Sequence, residues 1–164
     1  MKKIIVLLLL LLPMGAFSQE VKWAFVDFNA VFDVIPEREE AELKFAAVQA
    51  QYQEQYNQLQ TEFTAKYEEY MKLIEGDLAE NLKVRRQQEL EQLNDRLQNF
   101  IPQAQQDLEQ ENSKLMAPVQ EKILNAIKAV GQEQGYTIFT SQAFFHTGSL
   151  VDATPLVKAK LGIK

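Results

Sequence analysis

From Ala41 to Ile74 the apolar residues fall at Phe45, Val48, Tyr52, Tyr56, Leu59, Phe63, Tyr67 and Tyr70. The steps are four, three and four, and the set repeats three times without a slip. Eleven residues over three turns give about 3.67 per turn, close to the straight α-helix and slightly right-handed in supercoil. A strand has a period of two and a loop has none, so neither produces this spacing. A helix is therefore predicted from about Glu37 to Glu75. Its other face is solvated, with six Gln in the stretch from Gln49 to Gln60.

Gly76-Asp77 interrupts the stripe, and Gly76 is the only glycine between Gly15 and Gly131. The apolar positions resume at Leu78 and Leu82. They continue through Leu93, Leu97, Phe100, Ala104, Leu108, Leu115, Val119, Ile123, Ile127 and Val130. Two long amphipathic helices joined by a tight turn make an antiparallel hairpin with its tip near residues 75–78. At about 1.5 Å per residue the first helix alone reaches roughly 55–60 Å, the length of an arm. Pro102 and Pro118 fall within the second helix. Each removes a backbone hydrogen bond, which predicts kinks near Gln98 and Lys114. Pro118 also suits the first turn of a separate helix.

The remaining segments form a small body. Val21 to Phe28 is apolar on both sides, with Trp23 and Phe25 on one and Ala24, Val26 and Phe28 on the other, and reads as a buried strand. Asn29 then caps a short turn through Ile35, and Pro36 opens the long helix. Gly135 ends the second helix, Tyr136 to Thr140 reads as a strand, and Ala143 to Thr147 is a further apolar run. Gly148-Ser149 turns the chain, and Thr154-Pro155 caps a last helix through Leu161. The fold class is α+β, mostly α. Residues 36–135 form the hairpin arm, and residues 19–35 and 136–164 form the β-rich body. Trp23, Phe25, Val26, Phe28, Phe32, Ile138, Phe139 and Phe144 are the candidates for its core and for contacts between copies. So small a body cannot bury that apolar surface alone and also brace the arm, so oligomerisation through it is predicted. Periodicity does not distinguish three copies from four.

Residues 1–18 read as a secretory signal peptide. Lys2 and Lys3 precede the apolar run Ile4 to Leu12, Pro13 and Gly15 break it, and Ala16-Phe17-Ser18 offers a cleavage site after Ser18. The run is too short to span a bilayer, and the alternative is a buried or membrane-anchoring helix. No Cys follows it, which excludes a lipidated N-terminus. The chain has no Cys at all, which also excludes disulfides, thiolate chemistry and Cys-based metal sites. Loss of the two lysines with the signal takes the formal charge from −6 to −8. That acidity argues against nucleic acid and against electrostatic docking on an anionic membrane.

Catalysis finds no foothold. His146 is the only histidine, so no multi-His metal site forms, and a triad with Ser141 or Ser149 and Asp152 would have to use it. No Gly-rich phosphate loop is present. No enzyme activity, metal or cofactor is expected.

The stretch Trp23-Ala24-Phe25-Val26-Asp27-Phe28-Asn29-Ala30-Val31-Phe32, followed by Pro36 and a long helix, resembles the start of the periplasmic chaperones of the Skp/OmpH family. Leu115-Met116-Ala117-Pro118-Val119-Gln120-Glu121-Lys122-Ile123, running into Ala126 to Val130 and Gly135-Tyr136-Thr137-Ile138-Phe139, is similar to that family's return to its body. Val151-Asp152-Ala153-Thr154-Pro155-Leu156-Val157 is similar to its closing strand and helix. The resemblance implies a homotrimer with a small β body and helical arms. It also implies a cavity between the arms that holds unfolded outer-membrane proteins without ATP. The arm then offers client-binding candidates: Tyr52, Tyr56, Phe63, Tyr67, Tyr70 and Met71, with the cations Lys72, Lys83, Arg85 and Arg86. Equally, the aromatics can pack the seam between the helices and the cations can form a solvated face. Well-studied members of the family are basic, and the acidity of this chain argues against direct binding of lipid or lipopolysaccharide.

Overall fold

The computed structural model describes residues 22–76, 79–140 and 150–163. The expected signal peptide, Leu78, the Ala143 to Thr147 run with Phe144 and His146, and the Gly148-Ser149 turn lie outside the described residues. In order, the elements are strand β1 (Lys22–Phe25), helix α1 (Phe28–Phe32), helix α2 (Pro36–Ile74), helix α3 (Glu80–Gln134), strand β2 (Tyr136–Phe139), strand β3 (Val151–Asp152) and helix α4 (Thr154–Lys160).

The long helices match the sequence pattern closely. Helix α2 spans 39 residues and starts on Pro36, where a missing N–H costs nothing. Glu37 and Glu39 in its first turn and Lys72 in its last complement the helix dipole. Helix α3 runs 55 residues, straight through the positions of Pro102 and Pro118, so Pro118 does not open a separate helix. Both prolines are exposed, as are Gln98 and Lys114, so the carbonyl groups that lose their donors are within reach of water. Gly135 closes α3 in the left-handed region at φ 67°, donating its N–H to Gly131 O.

Three parallel strands form one sheet in the order β2-β1-β3. Lys22 faces Tyr136 and Phe25 faces Phe139 across one edge of β1, while Ala24 faces Val151 across the other. Parallel neighbours need a crossover connection, and between β1 and β2 that crossover is the entire arm. A Cβ added at Gly131 would sit 3.3 Å from Tyr136 O, so glycine lets the end of α3 lie close against β2.

The core lies on one face of this sheet. Ala24 and Val26 are buried there with Val31, Ile35, Ala41, Val119, Ile123, Ala126, Ile127, Val130, Ala153 and Val157. Ile123 has no exposed surface and is among the largest fully buried side chains. Phe28, Phe32 and Ile138 pack against this cluster. On the opposite face Trp23 is 48% exposed and stacks on the partly covered Phe139 at 5.1 Å. This corrects the expectation of a strand buried on both sides, because among the described residues the core cluster packs against one face of the sheet.

Two caps also differ from expectation. Asp27 rather than Asn29 caps α1, its Oδ1 accepting from Ala30 N at 3.0 Å, while Asn29 already lies inside the helix. Thr154 is the first residue of α4 and does not cap it. Its Oγ1 instead accepts from Asp27 N at 2.9 Å, and its own N–H donates to Asp152 Oδ1 at 2.9 Å, tying the last helix to the end of β1.

Candidate functional site

Apart from the residues that join the body's core, Leu93 and Ala104 are the buried residues on the described arm, at 7% and 8% exposure. Other seam positions are half covered, as two helices without a third layer must be. On α2 the covered positions run Ala41, Phe45, Val48, Tyr52, Tyr56, Leu59 and Phe63, which is the 11-residue repeat. They then continue as Lys66, Tyr70 and Leu73, in steps of three, four and three. The sequence stripe and the covered stripe therefore separate after Phe63.

The consequence is an arm end with apolar groups outside and with charged groups beside Tyr70 and Leu73 between the helices. Tyr67 is 48% exposed, Met71 39% and Ile74 36%, and across the turn Leu82 and Val84 are 47% and 46% exposed. Tyr67, Ile74 and Leu82 were expected in the seam, so the structure corrects that expectation. Lys66, Lys83, Arg86 and Glu89 are partly covered in their place. Long aliphatic stems fill the space while their heads reach water or each other. Arg86 Nη1 lies 2.6 Å from Glu89 Oε2, Arg85 Nε lies 3.6 Å from Glu89 Oε1, and Lys66 pairs with Glu69 at 3.4 Å. The hydrogen bond from Arg86, ahead of the nearby positive charges, holds the Glu89 carboxyl below its ordinary range. Lys72 is exposed, and among the described residues neither it nor Lys83 has an ion-pair partner.

Midway along the arm, Phe100 of α3 meets Tyr52 and Tyr56 of α2 at ring distances of 6.1 and 6.2 Å. The Tyr52 hydroxyl donates to Asp107 Oδ2 at 3.2 Å, and Gln103 donates to Asp107 Oδ1 at 3.0 Å. Loss of solvent around the phenol, then the neighbouring Asp107 carboxylate, push the Tyr52 hydroxyl above its ordinary value. Further out, Phe63 and Tyr67 stack at 6.3 Å. Two open grooves flank Phe100. One, of about 620 Å³, is walled by Tyr52, Tyr56, Ile101, Ala104 and Leu108 with Gln49, Gln53 and Gln105. The other, of about 680 Å³, is walled by Gln55, Gln58, Glu62, Asp95, Arg96 and Gln103.

At the base, ion pairs brace the arm. Lys122 donates to Glu37 across the two helices and lowers its carboxyl pKa, that hydrogen bond being the largest cause. Arg38 bonds Glu42 at 2.7 Å, pairs with Asp33 and lies 5.0 Å over the Phe32 ring. Phe28 and Phe32 stack at 6.1 Å. Lys160 of α4 pairs with Glu133 of α3. Sequence reasoning did not single out Phe100 or these braces. The signal for Phe100 was present, since it is the only aromatic on the α3 stripe. The braces between distant residues leave no periodic trace.

Among the described residues no group of three or more His, Cys, Asp or Glu could hold a metal ion, and no helix is long and apolar enough to cross a membrane. Ion pairs and hydrogen bonds explain the shifts of Glu37, Arg38 and Glu89, and loss of solvent ahead of the Asp107 contact explains that of Tyr52. Half-covered aromatics and open grooves are strung along an arm on a small sheet body. The chain belongs to the OmpH-like family: the family model described as outer membrane protein (OmpH-like) matches residues 22–161. That family is one of periplasmic chaperones. Among curated proteins nothing matches the chain.

Proposed function

We propose that this protein is an ATP-independent holdase of the periplasm. In this reading residues 1–18 direct export and are removed. The mature chain assembles as a homotrimer, and unfolded outer-membrane β-barrel proteins are held in the space between its arms. The observation that carries the reading is the half-covered state of the arm. Tyr52, Tyr56 and Phe63 are only partly buried by the partner helix, and Tyr67 and Met71 are exposed. A sealed coiled coil would hide such residues, and a spacer would replace them with polar ones. A holdase needs many weak, adaptable apolar contacts spread over length, and no enclosed pocket. Family membership supports the same kind of partner.

The exposed Trp23 supports self-association. It stands 48% exposed at the root of the arm, and burying it against other copies is favourable at about 25 cal/mol per Å². The body, residues 19–35 and 136–164, then serves as the assembly unit and residues 36–135 as the working arm.

The test is light scattering while a urea-unfolded outer-membrane β-barrel is diluted into buffer with purified mature protein and no nucleotide. Suppressed aggregation that saturates near one oligomer per client is expected. Unchanged aggregation at several-fold excess of folded protein would overturn the proposal.

A further inference from the structure

The two flanks of the arm differ in charge. The groove beside Tyr56 and Ile101 has Gln49, Gln53 and Gln105 as its polar walls and no charged residue. On the other side of Phe100 the groove holds Glu62, Asp95 and Arg96. Helix geometry carries this difference outward, because eleven residues return a helix to the same face within about 20°. One repeat out, Gln49 recurs as Gln60, Gln53 as Thr64 and Tyr56 as Tyr67; a second repeat brings Met71 from Gln49, Glu75 from Gln53 and Lys72 from Ala50. Eleven residues back from Ile101, Gln105 and Leu108 lie Leu90, Asn94 and Leu97. None of these positions one repeat out is charged, and charge appears in the second, at Lys72 and Glu75. On the opposite flank Gln55 recurs as Lys66, Gln58 as Glu69, and Arg96 is preceded by Arg85. The next groove on that side is again walled by charged residues, Glu62, Lys66, Glu89 and Arg96, together with Gln92.

We infer that the uncharged flank is the face of the arm that receives the client. Its occupant is an extended, uncharged stretch of unfolded polypeptide in which apolar and polar side chains alternate. The inference rests on the holdase reading and names the surface and the client chemistry within it. Charge matching decides between the flanks. The opposite flank keeps its water, because stripping hydrated, ion-paired groups costs more than covering amides. Across an acidic chain of net charge −6, the groove beside Tyr56 and Ile101 is where an approaching segment meets no charged wall. Its amides supply donors and acceptors for the unpaired backbone of an extended chain. Tyr67, Met71 and Ile101, at 48%, 39% and 47% exposure, supply apolar surface for every second side chain. A charged client residue seated there would lose water and find no counter-charge, so uncharged segments are selected.

The experiment compares two triple variants of the full mature chain. Q49E/Q53E/Q105E places three charges on the uncharged flank, and Q55E/Q58E/Q92E places three on the other. All six glutamines are exposed helix residues, so circular dichroism and sedimentation should show both variants folded and assembled like the parent. Affinity for a fluorescently labelled, urea-unfolded outer-membrane β-barrel is measured for each. Weakening by roughly tenfold or more in the first variant, with the second within about twofold of the parent, is expected. Equal weakening in both, or none in the first while the parent binds, overturns the inference alone. A parent that does not bind overturns the holdase reading and the inference with it.

Discussion

Replacing Phe100 with alanine should loosen the arm while leaving the body intact. Phe100 fills the seam between Tyr52 and Tyr56 at 6.1 and 6.2 Å and separates the two flanking grooves. Full burial would make Phe→Ala cost about 3–5 kcal/mol. Phe100 is only partly covered, so roughly half applies, about 2 kcal/mol. No side chain in the body's core cluster touches this position, the nearest member along α3 being Val119. The loss therefore falls on local opening of the arm. At about 1.4 kcal/mol per factor of ten, amides that exchange through that opening should speed up roughly thirtyfold. The assay is native-state hydrogen exchange read by mass spectrometry on peptides from 45–63 and 93–108 against peptides from 119–130. Equal acceleration in both sets would mean that arm and body open as one unit. No acceleration in the first would mean that Phe100 does not hold the seam. Either result refutes the reasoning.

Two further perturbations probe other parts of the same frame. Pro102→Ala should raise arm stability by about 1–3 kcal/mol, since the exposed ring can be removed and the Gln98 carbonyl regains its donor; slower exchange around residues 98–106 checks it, and unchanged exchange would show the carbonyl already satisfied. Glu37→Gln should cost no more than about 1 kcal/mol at pH 7, because the Lys122–Glu37 pair is partly exposed to solvent. The folded carboxyl is shifted below its ordinary 4.5 by Lys122, so its contribution is present above that value and fades as pH falls through the lowered one. Urea midpoints of parent and variant should accordingly differ at pH 7 and converge under acid, and a difference constant with pH would rule out the linkage.

Much of this architecture was legible because an 11-residue repeat states helix, length and packing face at once. The start at Pro36, the stop at Gly135 and the break at Gly76 were readable for a related reason, since each is backbone chemistry confined to one residue. Other features depended on contacts that no local pattern encodes. The Asp27 cap took precedence over Asn29 because the carboxylate is placed three residues before the Ala30 N–H, and Thr154 was drawn away from capping by a strand end 127 residues distant. That Trp23 stands exposed could not be inferred from β1, whose residues are apolar on both sides whether helices or other copies cover them.

The separation of stripes after Phe63 is the more instructive failure. Up to that residue, the 11-residue stripe and the covered positions coincide, as a packed hairpin requires. Beyond it the covered positions shift to Lys66, Tyr70 and Leu73, and the repeat shortens from eleven residues to seven. A strict reading of apolar periodicity therefore places Tyr67 and Ile74 inside when they are outside. A hairpin selected only for stability would close its seam with those side chains. This one fills its seam there with Lys66, Arg86 and Glu89, whose pairs are worth little in water, and leaves Tyr67, Met71, Ile74, Leu82 and Val84 on the surface. Apolar surface left uncovered at the end of an arm is a cost to the isolated fold. It becomes a gain when something else covers it, which is the condition of a protein that binds unfolded chains.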